Sequence, residues 1–246
     1  MTILWRTISG AVLAAAAVLV LSHPVQAQDL TIDLGEGGTV SGRVVQLFLL
    51  ITVLSLAPGL AVMVTCFPFI VTVLAILRQA IGLQQSPPNM LIVSLALFLT
   101  WFVMDPVFTE AWVKGIEPLT RNAVTIDAAI PATIAPFRAF MIARLDPDIF
   151  AAMASLRPGP LPTITDAPLS VLVPSFMLGE VQRAFEIGFL IFLPFLIIDL
   201  VVAAVLMSMG MMMVPPAVVS LPFKLAFFVV ADGWSLIAGA LVRSYA

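Results

Sequence analysis

The chain has 246 residues, of which 61% are hydrophobic and 10% are charged, and its formal net charge at pH 7 is −3. Soluble domains are about 45–50% apolar and about 25% charged, so this composition excludes an ordinary soluble globular protein. The high hydrophobicity also excludes a disordered chain, and the negative net charge excludes a basic surface for nucleic acid. With a mean hydropathy of +1.15, we predict an all-α membrane protein in contact with membrane lipid.

Residues that usually carry catalysis are scarce. The chain has one histidine, His23, and one cysteine, Cys66, which together cannot form a zinc site, an internal disulfide or a Cys-His catalytic pair of the usual kind. It also lacks a glycine-rich phosphate loop of the GxxxxGK[ST] type. We therefore expect no enzyme activity, no cofactor and no metal.

Residues 1–27 resemble a secretory signal peptide. Arg6 supplies the positive start, residues 8–21 form an apolar stretch, and small residues end at Ala27, where a signal peptidase would cleave. A retained membrane helix is the alternative, but the apolar stretch is shorter than the roughly 20 residues that a span needs. We expect cleavage to leave an extracytoplasmic tail over residues 28–43.

A first helical hairpin is predicted over residues 44–104. The run from Val44 to Leu77 has no charged residue, and as one helix it would extend about 51 Å, against about 30 Å of membrane hydrocarbon. We therefore expect two helical pieces, with break points at Pro58 and Pro68 and an end at Arg78.

Prolines and charged residues define the second half of this hairpin and the region that comes after it. A turn at Pro87-Pro88 leads to an apolar segment over residues 90–104, which we expect Asp105-Pro106 to close. Residues 105–170 then hold about half of the chain's charges, and apolar residues at helical spacing, such as Phe140 and Met141, predict helices there. We interpret this as a helical extracytoplasmic middle region.

A second helical hairpin is predicted over residues 171–246. Its apolar arms are residues 187–209 and 214–230, and between them lie Gly210 and the pair Pro215-Pro216. Glycine and consecutive prolines predict a sharp reversal. Both hairpins would then be kinked helical units with their connections on one side of the membrane.

Methionines cluster at the tip of the second hairpin. Within seven residues the chain places five of its 12 methionines: 207, 209, 211, 212 and 213. The methionine side chain is flexible and polarizable and adapts to irregular surfaces, so tips from several copies could close a pore. The alternative is that these side chains only fill the core of a helical bundle.

Asp199 and Lys224 lie at nearly equal distances from the tip, 13 residues before Met212 and 12 after it. In an antiparallel hairpin this spacing places the two side chains next to each other. Because an unpaired charge in lipid is costly, we predict a structural ion pair that fixes the register of the hairpin. The alternative is that Asp199 relays protons or ions.

Three more charges occur at the start of the second hairpin. Glu180, Arg183 and Glu186 are spaced i, i+3, i+6, which places them on one helical face that cannot face lipid. We predict that they contact another subunit, with a transport pathway as the alternative.

Two blocks of the sequence resemble a known family. The first comprises Leu77–Gly82, Gln85–Asn89 and Leu95–Thr100, and the second comprises Pro174–Glu180, Ile187–Leu200, Met207–Pro216, Ser220–Lys224 and Asp232–Trp234. Together they resemble the FliP family, the P subunit of the flagellar and type III secretion export gate. The signal peptide favours the flagellar branch. The chain departs from the usual family pattern at Thr65–Phe69, where a basic residue is missing and a proline is added, and at Gly179, where serine is usual.

The resemblance implies an assembly. Several P subunits would form a homo-oligomer and wind together with Q and R subunits into a helical oligomeric gate in the flagellar basal body, largely on the periplasmic side of the bacterial inner membrane. Unfolded flagellar proteins would be the substrates, and other export-apparatus and basal-body proteins would be partners. The resemblance also implies that four methionines form the gasket that seals the pore: Met209, Met211, Met212 and Met213.

Two other functions remain open at the level of sequence. A secondary transporter of small solutes would need charges at membrane depth, for which Asp199 and Lys224 are the candidates. A non-conducting scaffold of the basal body would need no pore.

Overall fold

Helices form all the regular structure in the computed structural model, which describes residues 40–82, 87–158 and 162–245. The expected all-α fold is confirmed for these residues. The predicted signal peptide and residues 28–39 of the predicted tail lie outside the described residues. The chain divides into two compact units, Met1–Thr52 and Val53–Ala246, and the second unit contains every helix that is discussed below except the start of the first.

The charge-free run at residues 44–77 lies within two helices and the short link between them. These helices are α1 (Val40–Met63) and α2 (Phe67–Ile81), separated by residues 64–66. The break expected at Pro68 is confirmed, because Pro68 lies in the first turn of α2, where no backbone N–H is needed. The break expected at Pro58 is wrong, since α1 continues through this residue. A proline inside a helix removes one hydrogen bond, and the turns on either side can still form.

The next helix, α3 (Asn89–Ala111), is longer than predicted. It runs through Pro106, so the expected end at Asp105-Pro106 is wrong. Met104 and Ala111 on either side of the proline are buried, and their packing keeps the helix intact. A π-helix (Trp112–Ile116) and a single turn, α4 (Glu117–Thr120), continue it.

The charged middle region is helical, as expected. It contains α5 (Ile126–Arg144) and α6 (Pro147–Ser155). The Asp146 side chain caps α6 by accepting hydrogen bonds from the backbone N–H groups of Asp148 and Ile149 at 2.9 and 3.2 Å.

The second hairpin consists of a 40-residue helix, α7 (Leu169–Ser208), and α8 (Pro216–Val230), followed by α9 (Gly233–Arg243). The reversal between α7 and α8 occurs where glycine and the proline pair predicted it. A second break between α8 and α9 bends the chain by 61°, and Asp232 adopts a left-handed backbone conformation there, with φ of 49°.

The core lies around α2, which packs chiefly against α7. The buried face of α2 includes Phe69, Ile70, Val73, Leu74 and Leu77. The two helices approach closely at Gly188, where a Cβ atom would lie 2.4 Å from Cδ1 of Ile76. Glycine at this position therefore allows the α2–α7 crossing.

Three of the described helical segments are long and apolar enough to cross a membrane: Asn89–Thr120, Ile126–Arg144 and Leu169–Ser208. Two bent helix pairs could raise this number to five. Much of their surface is both exposed and apolar, for example Phe98 and Trp101 on α3 and Phe189 and Leu190 on α7. Such surfaces are typical of helices that contact lipid or other membrane helices.

Candidate functional site

The methionine turn (residues 209–215) is a defined structure. Gly210, with φ of 76°, ends α7 in a Schellman motif. In this motif the N–H of Met211 donates to the carbonyl oxygen of Leu206 at 3.0 Å, and that of Gly210 donates to Met207 at 3.1 Å. Pro216 then begins α8. Both ends of the turn are thus fixed by the backbone, so the turn projects from two rigid helices.

The four methionines predicted to form a gasket are all exposed. Met212 and Met213 are 84% and 98% exposed, and Met209 and Met211 are also accessible. None of them fills the core of this chain. Behind the turn, α7 and α8 enclose a wholly apolar groove of about 560 Å³, with Val205, Phe223 and both Met209 and Met211 among its walls. An exposed apolar tip and groove of this kind are suited to contact with another chain.

The structure brings Asp199 and Lys224 together across the hairpin. Nζ of Lys224 lies 2.5 Å from Oδ2 of Asp199, and the hydroxyl of Ser220 donates to Oδ1 of Asp199 at 2.6 Å. The Lys224 side chain is 7% exposed, and that of Asp199 is 32% exposed. The two residues, which are nearly equidistant from the turn, therefore lie opposite each other, as the predicted register of the hairpin requires.

Lys224 has a second partner that sequence reasoning missed. Its ammonium group donates to the backbone carbonyl of Ala80 at 3.1 Å, in the last turn of α2, where helix carbonyls lack partners within the helix. A cation at this helix end is also favoured by the helix dipole. Ser220 was missed too, although it lies four residues before Lys224 and therefore on the same face of α8. We call Asp199, Lys224, Ser220 and the Ala80 carbonyl the Asp199 cluster.

A second cluster of charges surrounds Glu180, whose side chain is 0% exposed. Its carboxylate accepts hydrogen bonds from Arg144 and Arg183, each at 3.2 Å, and from the hydroxyl of Tyr245. Arg144 also donates to the carbonyl of Ser244 at 2.6 Å, and its guanidinium lies 4.0 Å from the centre of the Tyr245 ring. This Glu180 cluster ties α5, α7 and the C-terminal residues together.

Burial raises the pKa of Tyr245, and the negative charge of Glu180 raises it further. The phenol therefore remains protonated and serves as a hydrogen-bond donor. Sequence reasoning missed Arg144 and Tyr245, because they lie 36 and 65 residues from Glu180 and no local spacing connects them.

The three charges predicted to share one face have different surroundings. Glu180 finds its partners within its own chain, whereas Glu186 is exposed and accepts a hydrogen bond from Gln182 at 3.0 Å. Arg183 is partly exposed and reaches back to Glu180. The Glu180 carboxylate is buried within its own chain. The predicted subunit contact of Glu180, Arg183 and Glu186 stays a prediction.

The chain matches a known protein family over most of its length. The model of the FliP family matches residues 50–241, which include the Asp199 cluster, Glu180 with both of its arginines, and the methionine turn. The chain belongs to the FliP family. The resemblance drawn from the two sequence blocks is therefore confirmed.

Individual FliP relatives match nearly the whole chain. The chain is 52% identical over 236 residues to the flagellar biosynthetic protein FliP of Caulobacter vibrioides, covering 95% of this chain and 89% of that protein. It is 46% identical to the proteins of the same name from Agrobacterium fabrum, over 94% of this chain and 96% of the relative, and Rhizobium meliloti, over 93% and 96%. The matched regions thus extend well beyond the hairpins.

Proposed function

We propose that the chain is a pore-forming subunit of the flagellar type III protein export gate, which passes unfolded flagellar proteins across the bacterial inner membrane. The observation that carries the proposal is the methionine turn, a rigid hairpin tip with four exposed methionines, in a FliP-family chain whose relatives are named flagellar biosynthetic proteins. The exposed, apolar exteriors of its long helices fit a place in the membrane or among other membrane helices.

A closed pore requires more than one chain, because one methionine turn cannot surround a channel. In the proposed gate, several copies assemble with Q and R subunits and bring their turns to a common axis. Flexible thioether side chains would pack against each other when the pore is empty and would yield to a passing unfolded polypeptide. The gate would lie in the flagellar basal body, largely on the periplasmic side of the membrane.

The Asp199 cluster supports this function by positioning the turn. If copies are to form one seal, every turn must project from its helices by the same distance. The Asp199–Lys224 pair resists sliding of α8 along α7, because slippage by one turn would leave the nearly buried Lys224 ammonium without its carboxylate. We assign the pair this structural role, since both charges already have partners.

Cross-linking tests whether the turns meet. Cys66 is the one native cysteine and is buried, so Met212→Cys introduces an accessible thiol at the tip. In membranes that contain the assembled gate, we expect a short bismaleimide to join Met212→Cys chains into covalent oligomers. The matched control is Ser155→Cys, which is exposed at the end of α6. Oligomers from the control and none from Met212→Cys would contradict the proposal.

A further inference from the structure

A separate cavity of about 320 Å³ lies beside the middle of α7, away from the methionine turn. We call it the lipid slot. Its walls come from α2, α7 and α9: Phe69, Ile187, Ile191, Leu236, Ile237, Ala240 and Leu241. Only two of its described lining residues, Arg243 and Ser244, are polar, so the interior suits a hydrocarbon chain.

Arg243 lies at the C-terminal end of α9, lines the slot and is exposed. Its guanidinium is exposed and makes no hydrogen bond or ion pair with any residue in the described part of the chain. In contrast, Arg138, Arg144 and Arg157 all have protein partners. The cation beside the slot is therefore available for an external anion.

Two further arginines lie close to residues of the slot wall. Arg183 is one helical turn from the wall residue Ile187 and is therefore on the same face of α7. Ser244 in the wall is bound by Arg144. Both arginines share a single carboxylate, Glu180, so these three side chains together carry one net positive charge.

We propose that the lipid slot binds one acyl chain of an anionic phospholipid, with the lipid phosphate on Arg243. A volume of about 320 Å³ is at the small end of the range for ligand sites, roughly 300–1,000 Å³, and fits one chain better than a whole lipid. The guanidinium fork matches a phosphate with two parallel hydrogen bonds. Basic pockets between membrane helices commonly bind anionic headgroups.

A lipid fits this site better than an apolar helix from a second copy. Such a helix would cover the slot but would leave the Arg243 guanidinium beside an apolar surface without an acceptor, which is unfavourable. A phospholipid supplies hydrocarbon and an anion in the arrangement that the slot requires. The site does not depend on the proposed pore.

Lipid retention by the full-length chain, purified in detergent, tests the proposal. Native mass spectrometry would compare palmitoyl-oleoyl phosphatidylglycerol with palmitoyl-oleoyl glycerol, a diacylglycerol that has the same acyl chains and no phosphate. We expect phosphatidylglycerol to bind about tenfold more tightly, since the diacylglycerol lacks the phosphate that accepts the charge-assisted hydrogen bonds of Arg243. Arg243→Gln should remove this preference. Ala240→Phe, which fills the slot from an exposed position, should weaken binding of both lipids.

Two matched controls accompany these variants. Arg121→Gln removes an exposed arginine from the middle region, and Ser235→Phe adds a ring to an exposed position of α9 outside the slot. Both should retain phosphatidylglycerol as the unaltered chain does. Equal binding of the two lipids, or unchanged binding by Arg243→Gln, would overturn the proposal.

Two other results would also overturn it. Displacement of phosphatidylglycerol by an equimolar amount of soluble glycerol phosphate would show that the acyl chain contributes nothing. Loss of self-association in Ala240→Phe with unchanged lipid retention would assign the slot to a neighbouring copy.

Discussion

Lys224 on α8 donates a hydrogen bond to the backbone carbonyl of Ala80 on α2, a residue 144 positions earlier in the chain. The same ammonium group binds Asp199 on α7. One buried cation therefore joins the C-terminal end of α2 to both helices that carry the methionine turn. Moving the turn relative to α2 requires that this contact break.

The Asp199 cluster predicts unequal effects of removing its two charges. Asp199→Ala leaves the nearly buried Lys224 ammonium with only the Ala80 carbonyl, so we expect a loss of about 3 kcal/mol in the free energy of unfolding. Lys224→Met leaves a partly exposed carboxylate that still accepts from Ser220, and should cost about 1–2 kcal/mol. Unfolding in mixed micelles with increasing denaturing detergent measures both.

Double variants of the same pair distinguish the Ala80 contact from simple pairing. Asp199→Ala with Lys224→Met should be less unstable than Asp199→Ala alone, because no buried charge remains. The charge swap, Asp199→Lys with Lys224→Asp, should recover little, since a carboxylate would face the Ala80 carbonyl. Full recovery by the swap would mean that Lys224 does not depend on α2.

The Glu180 cluster predicts a large effect at one glutamate and almost none at another. Glu180→Ala leaves Arg144 and Arg183 without their shared carboxylate, and we expect a loss of about 3–5 kcal/mol. Glu186→Ala, on the same helix but exposed, should change the free energy of unfolding by no more than about 0.5 kcal/mol. Similar effects of the two substitutions would contradict the burial of Glu180.

Tyr245 is the chain's one tyrosine, so phenolate absorbance reports its ionisation alone. Its folded-state pKa is raised above an unfolded value of about 10. The folded state therefore holds this proton more tightly, and the resulting stability is complete below about pH 10 and declines as pH rises further. We expect no phenolate absorbance at pH 11 in the folded chain, and a midpoint near 10 after denaturation. A midpoint near 10 in the folded chain would place Tyr245 in water.

The α2–α7 crossing predicts opposite outcomes at two glycines of α7. A Cβ at Gly188 would lie 2.4 Å from Cδ1 of Ile76, so Gly188→Ala should cost about 1–3 kcal/mol. Ile76→Val removes Cδ1 and should restore part of that loss. At Gly179 the nearest neighbours of a Cβ are 3.8 Å away, so Gly179→Ala should be neutral or stabilising by up to about 1 kcal/mol. Equal unfolding midpoints for both alanine variants would contradict the crossing.

Local sequence patterns were sufficient to predict the turn of the second hairpin. Gly210 and the pair Pro215-Pro216 locate the methionine turn, and counting residues from that turn brings Asp199 opposite Lys224. The Ala80 contact could not be predicted in this way, because a backbone carbonyl leaves no trace in the residue type and α2 is far away in sequence. Periodicity likewise placed Glu180 on a charged face without indicating that α5 and the C-terminus cover it.

The prolines inside the helices show the same limit of prediction from local sequence. A proline inside a helix costs about 3 kcal/mol, which made Asp105-Pro106 a reasonable end for the predicted segment. In the structure, the buried side chains of Met104 and Ala111 offset this cost, and α3 continues. Pro174 and Pro194 are accommodated within α7 in the same way. Tertiary packing determines where these helices end, and helix propensity read from the sequence does not predict that packing.

The central claim is that the methionine turn seals the pore, and ion conductance of the assembled gate in planar bilayers tests it most directly. Deletion of Met211–Met213 should convert a closed complex into one with a persistent ionic current. The control Met90→Ala, at an exposed methionine on α3, should remain closed. Complexes that assemble normally yet stay equally closed after the deletion would contradict the claim.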